Sequence, residues 1–215
     1  MNNDLSAVAQ DFIKNLTGAN SMEIQKYAVE ITSNKEPLKR FEEDKNSIYG
    51  RRFRSRGMGI GTRLGTVLYI LCRKLKPAAV VETGVASGVS SAYILSALEE
   101  NNHGELHSID LPSRGGESGW LVPDYLRYRW QLIVGRSSDK LPTLLEKLGT
   151  IDIFLHDSDH SYQNMFWEYE TAWDHLKTGG ILLSHNIDVN NAFSNFCRKT
   201  GGQGFLLANM GGIVK

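Results

Sequence analysis

The sequence predicts an α/β protein built on a doubly wound, mostly parallel sheet. Two observations carry that prediction. From residue 78 onward, short apolar runs alternate with segments of helical period, and alternating strands and helices build parallel sheets through crossover connections. The runs are continuously apolar, as strands covered by helices on both faces are.

Each element follows in order. Leu5, Val8, Ala9, Phe12 and Ile13 fall at spacings of three and four, and Ile24, Tyr27, Ala28 and Ile31 repeat the pattern, so two amphipathic helices are expected first. A third carries Val67, Leu68, Ile70, Leu71 and Leu75 and ends near Pro77. Strands are expected at 78–82 (AAVVE), 106–110 (LHSID), 132–134 (LIV), 151–155 (IDIFL) and 181–184 (ILLS). Helices fall between them at 90–99, 141–148 and 166–176, with a turn at Gly179 and Gly180 and a last helix at 192–199. The runs 205–208 and 211–214 suit a closing antiparallel hairpin. The chain divides into an N-terminal helical cap with an arginine-rich segment, 1–57, and a larger domain, 58–215.

Composition narrows the function classes. A chain of 215 residues suits one domain with a small appendage. Lys+Arg and Asp+Glu both number 24, and a zero net charge argues against a dedicated nucleic-acid binder. With 41% hydrophobic residues, a disordered chain is excluded. No run approaches the ~20 apolar residues of a membrane span. Residues 1–18 hold no basic segment followed by an apolar one, so the expectation is a cytoplasmic protein without a leader. Cys72 and Cys197 sit in no CxxC or CxxxH spacing, which speaks against zinc, and read as buried thiols in a reducing compartment.

In doubly wound sheets ligands bind outside the carboxyl ends of the strands, so the residues there carry the functional information. After the first strand come Glu82, Gly84, Ser87, Gly88 and Ser90. Two glycines at the start of a helix let backbone approach a ligand, but this is neither a GxGxxG nor a Walker loop, and a carboxylate here suits an ammonium group better than a phosphate. Asp110, after the second strand, suits a ribose diol. Gly135, Ser137, Ser138 and Asp139, after the third, suit an adenine edge. Together they describe a nucleoside crevice without a phosphate cradle.

The fourth strand leads into His156, Asp157, Ser158, Asp159 and His160, and the fifth into Ser184, His185 and Asn186. Asp157, Asp159, His160, His185 and Asn186 are donors of the kind that bind a divalent cation. His160 also suits a general base near neutral pH. Asp157 and Asp159 read alternatively as N-caps of the next helix, and His103 and His175 as solvated side chains.

Over 58–187 the sequence resembles the class I S-adenosylmethionine-dependent methyltransferases, and more narrowly the metal-dependent small-molecule O-methyltransferases of the catechol and caffeoyl-CoA type. Met58 and Ile60 lie where that family touches both cofactor and substrate. Glu82, Gly84 and Ser90 match its E-x-G-x(5)-S pattern, which with Ser87 in the same loop holds the methionine portion. Asp110 falls on the ribose-binding acid, and Ser137 and Ser138 fall in the adenine-side GxSxD element. Asp157 matches the first metal-binding aspartate and borders the cofactor; His160 stands at the catalytic lysine, and His185 and Asn186 at the Asp-Asn metal pair.

The resemblance implies a Rossmann-like fold, S-adenosyl-L-methionine, and methyl transfer to a small-molecule hydroxyl with His160 and Asp157 catalytic. It also implies an assisting divalent cation, Mg2+ or Mn2+, on Asp157, His185 and Asn186. His185 in place of aspartate and His160 in place of lysine are departures, and histidine ligation shifts preference toward softer ions.

Two segments remain open. Arg51, Arg52, Arg54, Arg56 and Arg63 suit an anionic acceptor, or else bridge the acidic 42–44 run or a partner subunit. Trp120, Tyr125, Tyr128 and Trp130 suit a lid over the substrate or a homodimer contact. Two competing functions stand beside methyl transfer: a non-catalytic S-adenosylmethionine or nucleoside binder, and a metal-dependent hydrolase using the 157–160 run.

Overall fold

The computed structural model describes residues 5–33, 62–111 and 118–215. Met58, Ile60, Arg51, Arg52, Arg54 and Arg56 lie outside the described residues.

Three helices come first: α1 (Ala7–Thr17), α2 (Ser21–Ser33) and α3 (Thr62–Leu75). Ser6 caps α1, its Oγ accepting from the Ala9 amide at 3.3 Å, and Gly18 ends it in the left-handed region. The sheet then alternates with helices: β1 (Ala79–Thr83), α4 (Val89–Asn101), β2 (Glu105–Asp110), a 3-10 turn (Asp124–Arg129), β3 (Trp130–Val134), α5 (Ser137–Leu148), β4 (Ile151–His156), α6 (Tyr162–His175), β5 (Leu176–Ser184) and α7 (Ala192–Thr200). The hairpin of β6 (Gly204–Leu207) and β7 (Met210–Val214) closes the chain.

The seven strands lie in the order β3-β2-β1-β4-β5-β7-β6. β1 through β5 pair in parallel, and β7 runs antiparallel to both β5 and β6. The doubly wound sheet with an antiparallel closing hairpin is therefore present. Side-chain alternation splits the interior into two cores. Val80, Leu106, Ile153, Leu155, Ile181 and Leu183 face α1 to α4, while Val81, Ile109, Phe154 and Leu182 face α5 to α7.

Three elements differ from expectation. Gly179 and Gly180 do not turn the chain but lie inside β5. The Gly179 amide donates to the Lys215 carbonyl at 2.8 Å, the Lys215 amide donates back to Gly180 at 2.9 Å, and the pairing with β4 shifts register between Ile151 and Ile153. A glycine at φ 79° permits this bulge. α5 begins at Ser137, not at 141, so Pro142 lies inside it. β3 is an edge strand, and Val134 is 55% exposed, so its run is not covered on both faces.

Candidate functional site

The chain lays β2 and β3 on one side of β1 and β4 and β5 on the other, so strand order reverses between β1 and β4. Thr83 and His156 end those strands as direct neighbours, and His156 in turn pairs with Ser184 at the end of β5. A crevice at this reversal is the expected ligand position in such a sheet.

The loop after β1 is pinned on three sides. The Gly84 amide donates to the Ile109 carbonyl at 2.8 Å, and Gly88 closes a tight turn on Val85 at 2.8 Å. Gly84 has φ 85°, and a Cβ there would lie 2.0 Å from the Asp157 carbonyl oxygen. Only glycine lets the β1 and β4 loops approach this closely. The Gly119 and Leu121 amides donate to Ala86 and Ser87 at 2.9 and 3.0 Å, so residues 119–121 lie on this loop. Trp120 packs partly buried against the core; Tyr125 and Tyr128 are exposed.

Asp110 stands beside the same loop. Its Oδ2 accepts from the Ala86 amide at 3.1 Å and its Oδ1 from the Leu111 amide at 2.9 Å, which leaves lone pairs on both oxygens for a diol. Ser137 and Ser138 form the first turn of α5, where backbone N–H groups lack helical partners. Ser138 is exposed and its hydroxyl donates to Asp139 at 3.0 Å. Glu82 is different in character: its side chain is wholly buried, and the hydroxyls of Ser90, Ser91 and Ser108 all donate to it, the latter two at 2.6 and 2.8 Å. Burial pushes its pKa up to about 7, against the pull of the three hydroxyls and with the push of the Asp157 charge. Ser90, expected at the cofactor, is thus also a partner of Glu82.

Asp157, His160 and His185 converge beyond β4 and β5. His185 Nδ1 donates to Asp157 Oδ1 at 2.8 Å, and His160 Nε2 lies 3.8 Å from the same oxygen. Since the carboxylate can only accept, the His185 proton sits on Nδ1, and its Nε2 accepts from the Asn209 side-chain amide at 3.1 Å. Asn209 comes from the tip of the closing hairpin. Both His185 nitrogens are therefore engaged within the protein, and the expected cation donors Asp157, His185 and Asn186 do not form an open cage. Among the described residues no group of three His, Cys, Asp or Glu side chains is placed to hold a metal. Asp159 is not the cap of α6: its Oδ1 accepts from the Ser161 amide at 3.0 Å, and Ser161 caps the helix. His175 Nδ1 donates to the Gly149 carbonyl at 2.9 Å, and His103 is exposed. Cys72 is buried and Cys197 partly so; both are free.

His160 is partly buried, and burial lowers its pKa from the usual imidazole value; Asp157 opposes the shift, while His156 and His185 add to it. Sequence reasoning left Glu168 and His156 without a role. Both side chains are fully buried, with His156 Nδ1 2.6 Å from Glu168 Oε2. Thr83 Oγ1 donates to the same oxygen at 2.5 Å, and Ser158 Oγ and Asn164 Nδ2 donate to Oε1 at 2.7 and 3.2 Å. Burial pushes the Glu168 carboxyl upward, but hydrogen bonds from His156, Ser137 and Thr83 outweigh it and hold it below the usual range. A signal existed in the sequence: Glu168 occupies the buried stripe of α6 with Met165, Tyr169 and Ala172, at spacings of three and four.

Residues 81–187 match the family described as "Methyltransferase domain". A curated protein named "Putative O-methyltransferase" from Mycobacterium sp. (strain KMS) is 30% identical over 144 residues, which are 64% of this chain. Its namesake from strain JLS is 30% identical over 140 residues, or 61% of this chain. The aligned segments span 63% and 61% of the length of those relatives. The fold is shared with the SAH-bound methyltransferase PaMTH1 of Podospora anserina, with TM-score 0.64, 16% identity and coverage of 91% of this chain and 96% of that one. It is also shared with the O-methyltransferase TomG of Streptomyces achromogenes in complex with SAM, with TM-score 0.62, 17% identity, and 76% and 86% coverage. A Bacillus cereus O-methyltransferase in complex with SAH gives 0.59 at 12% identity, covering 98% of each chain.

Proposed function

We propose that this chain, which belongs to the class I S-adenosylmethionine-dependent methyltransferases, moves a methyl group from S-adenosylmethionine to a hydroxyl of a small molecule, with His160 as the base. One observation carries the reading. At the carboxyl end of β4, beside the strand reversal, stands an imidazole that burial keeps neutral near pH 7 and that remains 31% exposed. A neutral, reachable imidazole is what removal of a hydroxyl proton requires.

The residues present fit the nucleoside portion of S-adenosylmethionine. Asp110 has free lone pairs for the ribose diol, the 84–88 loop exposes backbone at the reversal, and the start of α5 offers unpaired N–H groups. When bound, S-adenosylmethionine supplies an electrophilic methyl group on a positively charged sulfur. The protein's task is then alignment, which contributes ~7–11 kcal/mol when nucleophile and acceptor atom are held in line. His160 takes the hydroxyl proton, and the Asp157 carboxylate, 3.8 Å from its Nε2, stabilises the imidazolium that results. No step runs through a divalent cation, because His185 has no nitrogen left to ligate one. An anionic acceptor is the chemistry suggested by Arg51, Arg52, Arg54, Arg56 and Arg63 in sequence.

The test is calorimetric titration of S-adenosylmethionine combined with turnover of His160→Ala over a panel of hydroxylated small molecules. The variant is expected to bind S-adenosylmethionine normally and lose ~10²–10⁴-fold in kcat. Absence of binding by the unmodified chain would sink the reading, and unchanged turnover in the variant would remove His160 from it. EDTA is expected to leave both binding and turnover within about twofold, since both His185 nitrogens are engaged and, among the described residues, no group of three His, Cys, Asp or Glu side chains is placed to hold an ion. A loss on chelation that Mn2+ restores would overturn the metal-free route.

A further inference from the structure

We propose that Asn190 is a positioning residue for His160, its carboxamide tying the loop after β4 to the loop after β5. The inference deepens the reading of His160 as base and rests on it. Asn190 Nδ2 donates to the His160 carbonyl oxygen at 2.9 Å and reaches Met165 Sδ at 3.3 Å, while its Oδ1 accepts from the Ala192 amide at 2.8 Å. The carboxamide can face only one way. A backbone carbonyl only accepts and a backbone amide only donates, so the NH2 group must face residue 160 and the oxygen residue 192. That fit holds whatever the protonation of the neighbouring histidines.

The anchors of this side chain are themselves fixed. Ala192 opens α7, where the first amides lack helical partners, and Asn190 Oδ1 fills one of them. α7 in turn is held on α6: Phe196 meets Phe166 edge to face with centroids 6.0 Å apart, and Asn195 Nδ2 donates to the Tyr162 hydroxyl at 3.1 Å. Met165 is fully buried in α6. In the loop after β4, other contacts hold the neighbours of His160. The Asp157 amide donates to the Thr83 carbonyl at 2.8 Å, and Asn164 Nδ2 donates to the Asp159 carbonyl at 2.9 Å. Asn190 supplies the tie at residue 160 itself, and the His160 ring then stands edge to face with His156 and His185, centroids 5.4 and 6.5 Å away. A general base works only within hydrogen-bond reach of its proton, and a shift of about 1 Å costs ~10²-fold in rate. The role is positional: Asn190 acts through His160.

Asn190→Asp and Asn190→Ser separate the two contacts. Each keeps an oxygen for the Ala192 amide and removes the donor to His160, the serine variant without adding charge. Backbone 15N relaxation on the labelled full chain reads the order parameter at residue 160. It is expected to stand at about 0.85 in the parent and to fall below ~0.6 in both variants. An unchanged order parameter there overturns the tie. Turnover is read on the fastest acceptor in the panel of hydroxylated small molecules. In both variants kcat should fall about 10–100-fold while KM for S-adenosylmethionine stays within about twofold. A kcat within twofold of the parent in both would equally refute the role. Combined with His160→Ala, Asn190→Ser is expected to cost nothing further in kcat; an undiminished second loss would show that Asn190 acts elsewhere. The two readings fail separately: full turnover in His160→Ala removes the base, while the order parameter at residue 160 still judges the tie.

Discussion

Glu82 ends β1 with its carboxyl group wholly out of water, held by three serine hydroxyls rather than by any cation. Burial lifts its pKa to about 7 from the ordinary carboxyl value of 4.5. Between those values the folded state keeps a proton that the unfolded chain has lost. Stability contributed by this group is therefore present below pH 4.5 and is lost as pH rises to 7, by roughly 3 kcal/mol. Glu82→Gln cannot ionise and escapes that loss. The variant should melt close to the parent near pH 4.5, gain on it up to about pH 7 and hold that advantage above it, as thermal unfolding monitored across pH would show. A difference independent of pH would mean that Glu82 stays ionised in the fold. The acid was legible in the sequence as a strand-end residue, yet its burial was not. Ser91 and Ser108 come from α4 and β2, and nothing local to Glu82 announces them. The pairing of His156 with Glu168 escaped notice for the same reason, since one lies at a strand end and the other twelve residues on in a helix. Only the packing of α6 beneath β1 and β4 makes them one group.

At the scale of elements, the sequence located the strands well because each is a short apolar run between turn residues, and covered strands must be apolar. It placed the turn at Gly179 and Gly180 wrongly because a glycine pair marks a bulge as well as it marks a turn. The backbone partners that decide the matter, Lys215 and the β4 edge, are distant in sequence. Loop geometry was more legible where chemistry forces glycine. Gly84 combines a left-handed φ with an approach that leaves no room for a Cβ. In Gly84→Ala the backbone conformation alone costs ~1–2 kcal/mol, and displacing the Asp157 carbonyl adds to it. The expected result is a loss of about 2–4 kcal/mol in urea unfolding, together with weakened S-adenosylmethionine binding, because the moved loop carries both Ala86, the partner of Asp110, and the neighbour of Asp157. Full stability in this variant would show that the two loops part without penalty.

Across the whole molecule, the cut at residue 57 follows composition, but the apolar core runs through it. Phe12, Ile13 and Leu16 of α1 and Ile24 and Ile31 of α2 are at most 4% exposed and share one cluster with Val80, Leu106 and Ile153 of the sheet. α1 also lies over the closing hairpin, where a Cβ at Gly212 would meet Leu16 at 2.7 Å and Phe12 at 3.1 Å. Polar ties run the same way: Arg73 of α3 pairs with Glu30 of α2, and Lys74 with Glu23 at 2.7 Å. These pairs are partly buried, and the cost of taking their charges out of water offsets much of their attraction, so the apolar contacts decide. Each large side chain buried in this way contributes ~1.5–3 kcal/mol, so the five named give on the order of 10 kcal/mol. That is comparable with the ~5–15 kcal/mol that holds a typical domain together. A fragment covering 58–215 should therefore lack a cooperative thermal transition and bind hydrophobic dyes, although it contains all of 81–187. The missing helices would also leave the face of β7 toward α1 open to water, loosening the hairpin that carries Asn209 to His185. Near-ultraviolet circular dichroism of the fragment against the full chain checks this. A native-like spectrum with a sharp melt would show that the α1–α2 layer is dispensable packing and that the composition boundary is a true domain boundary.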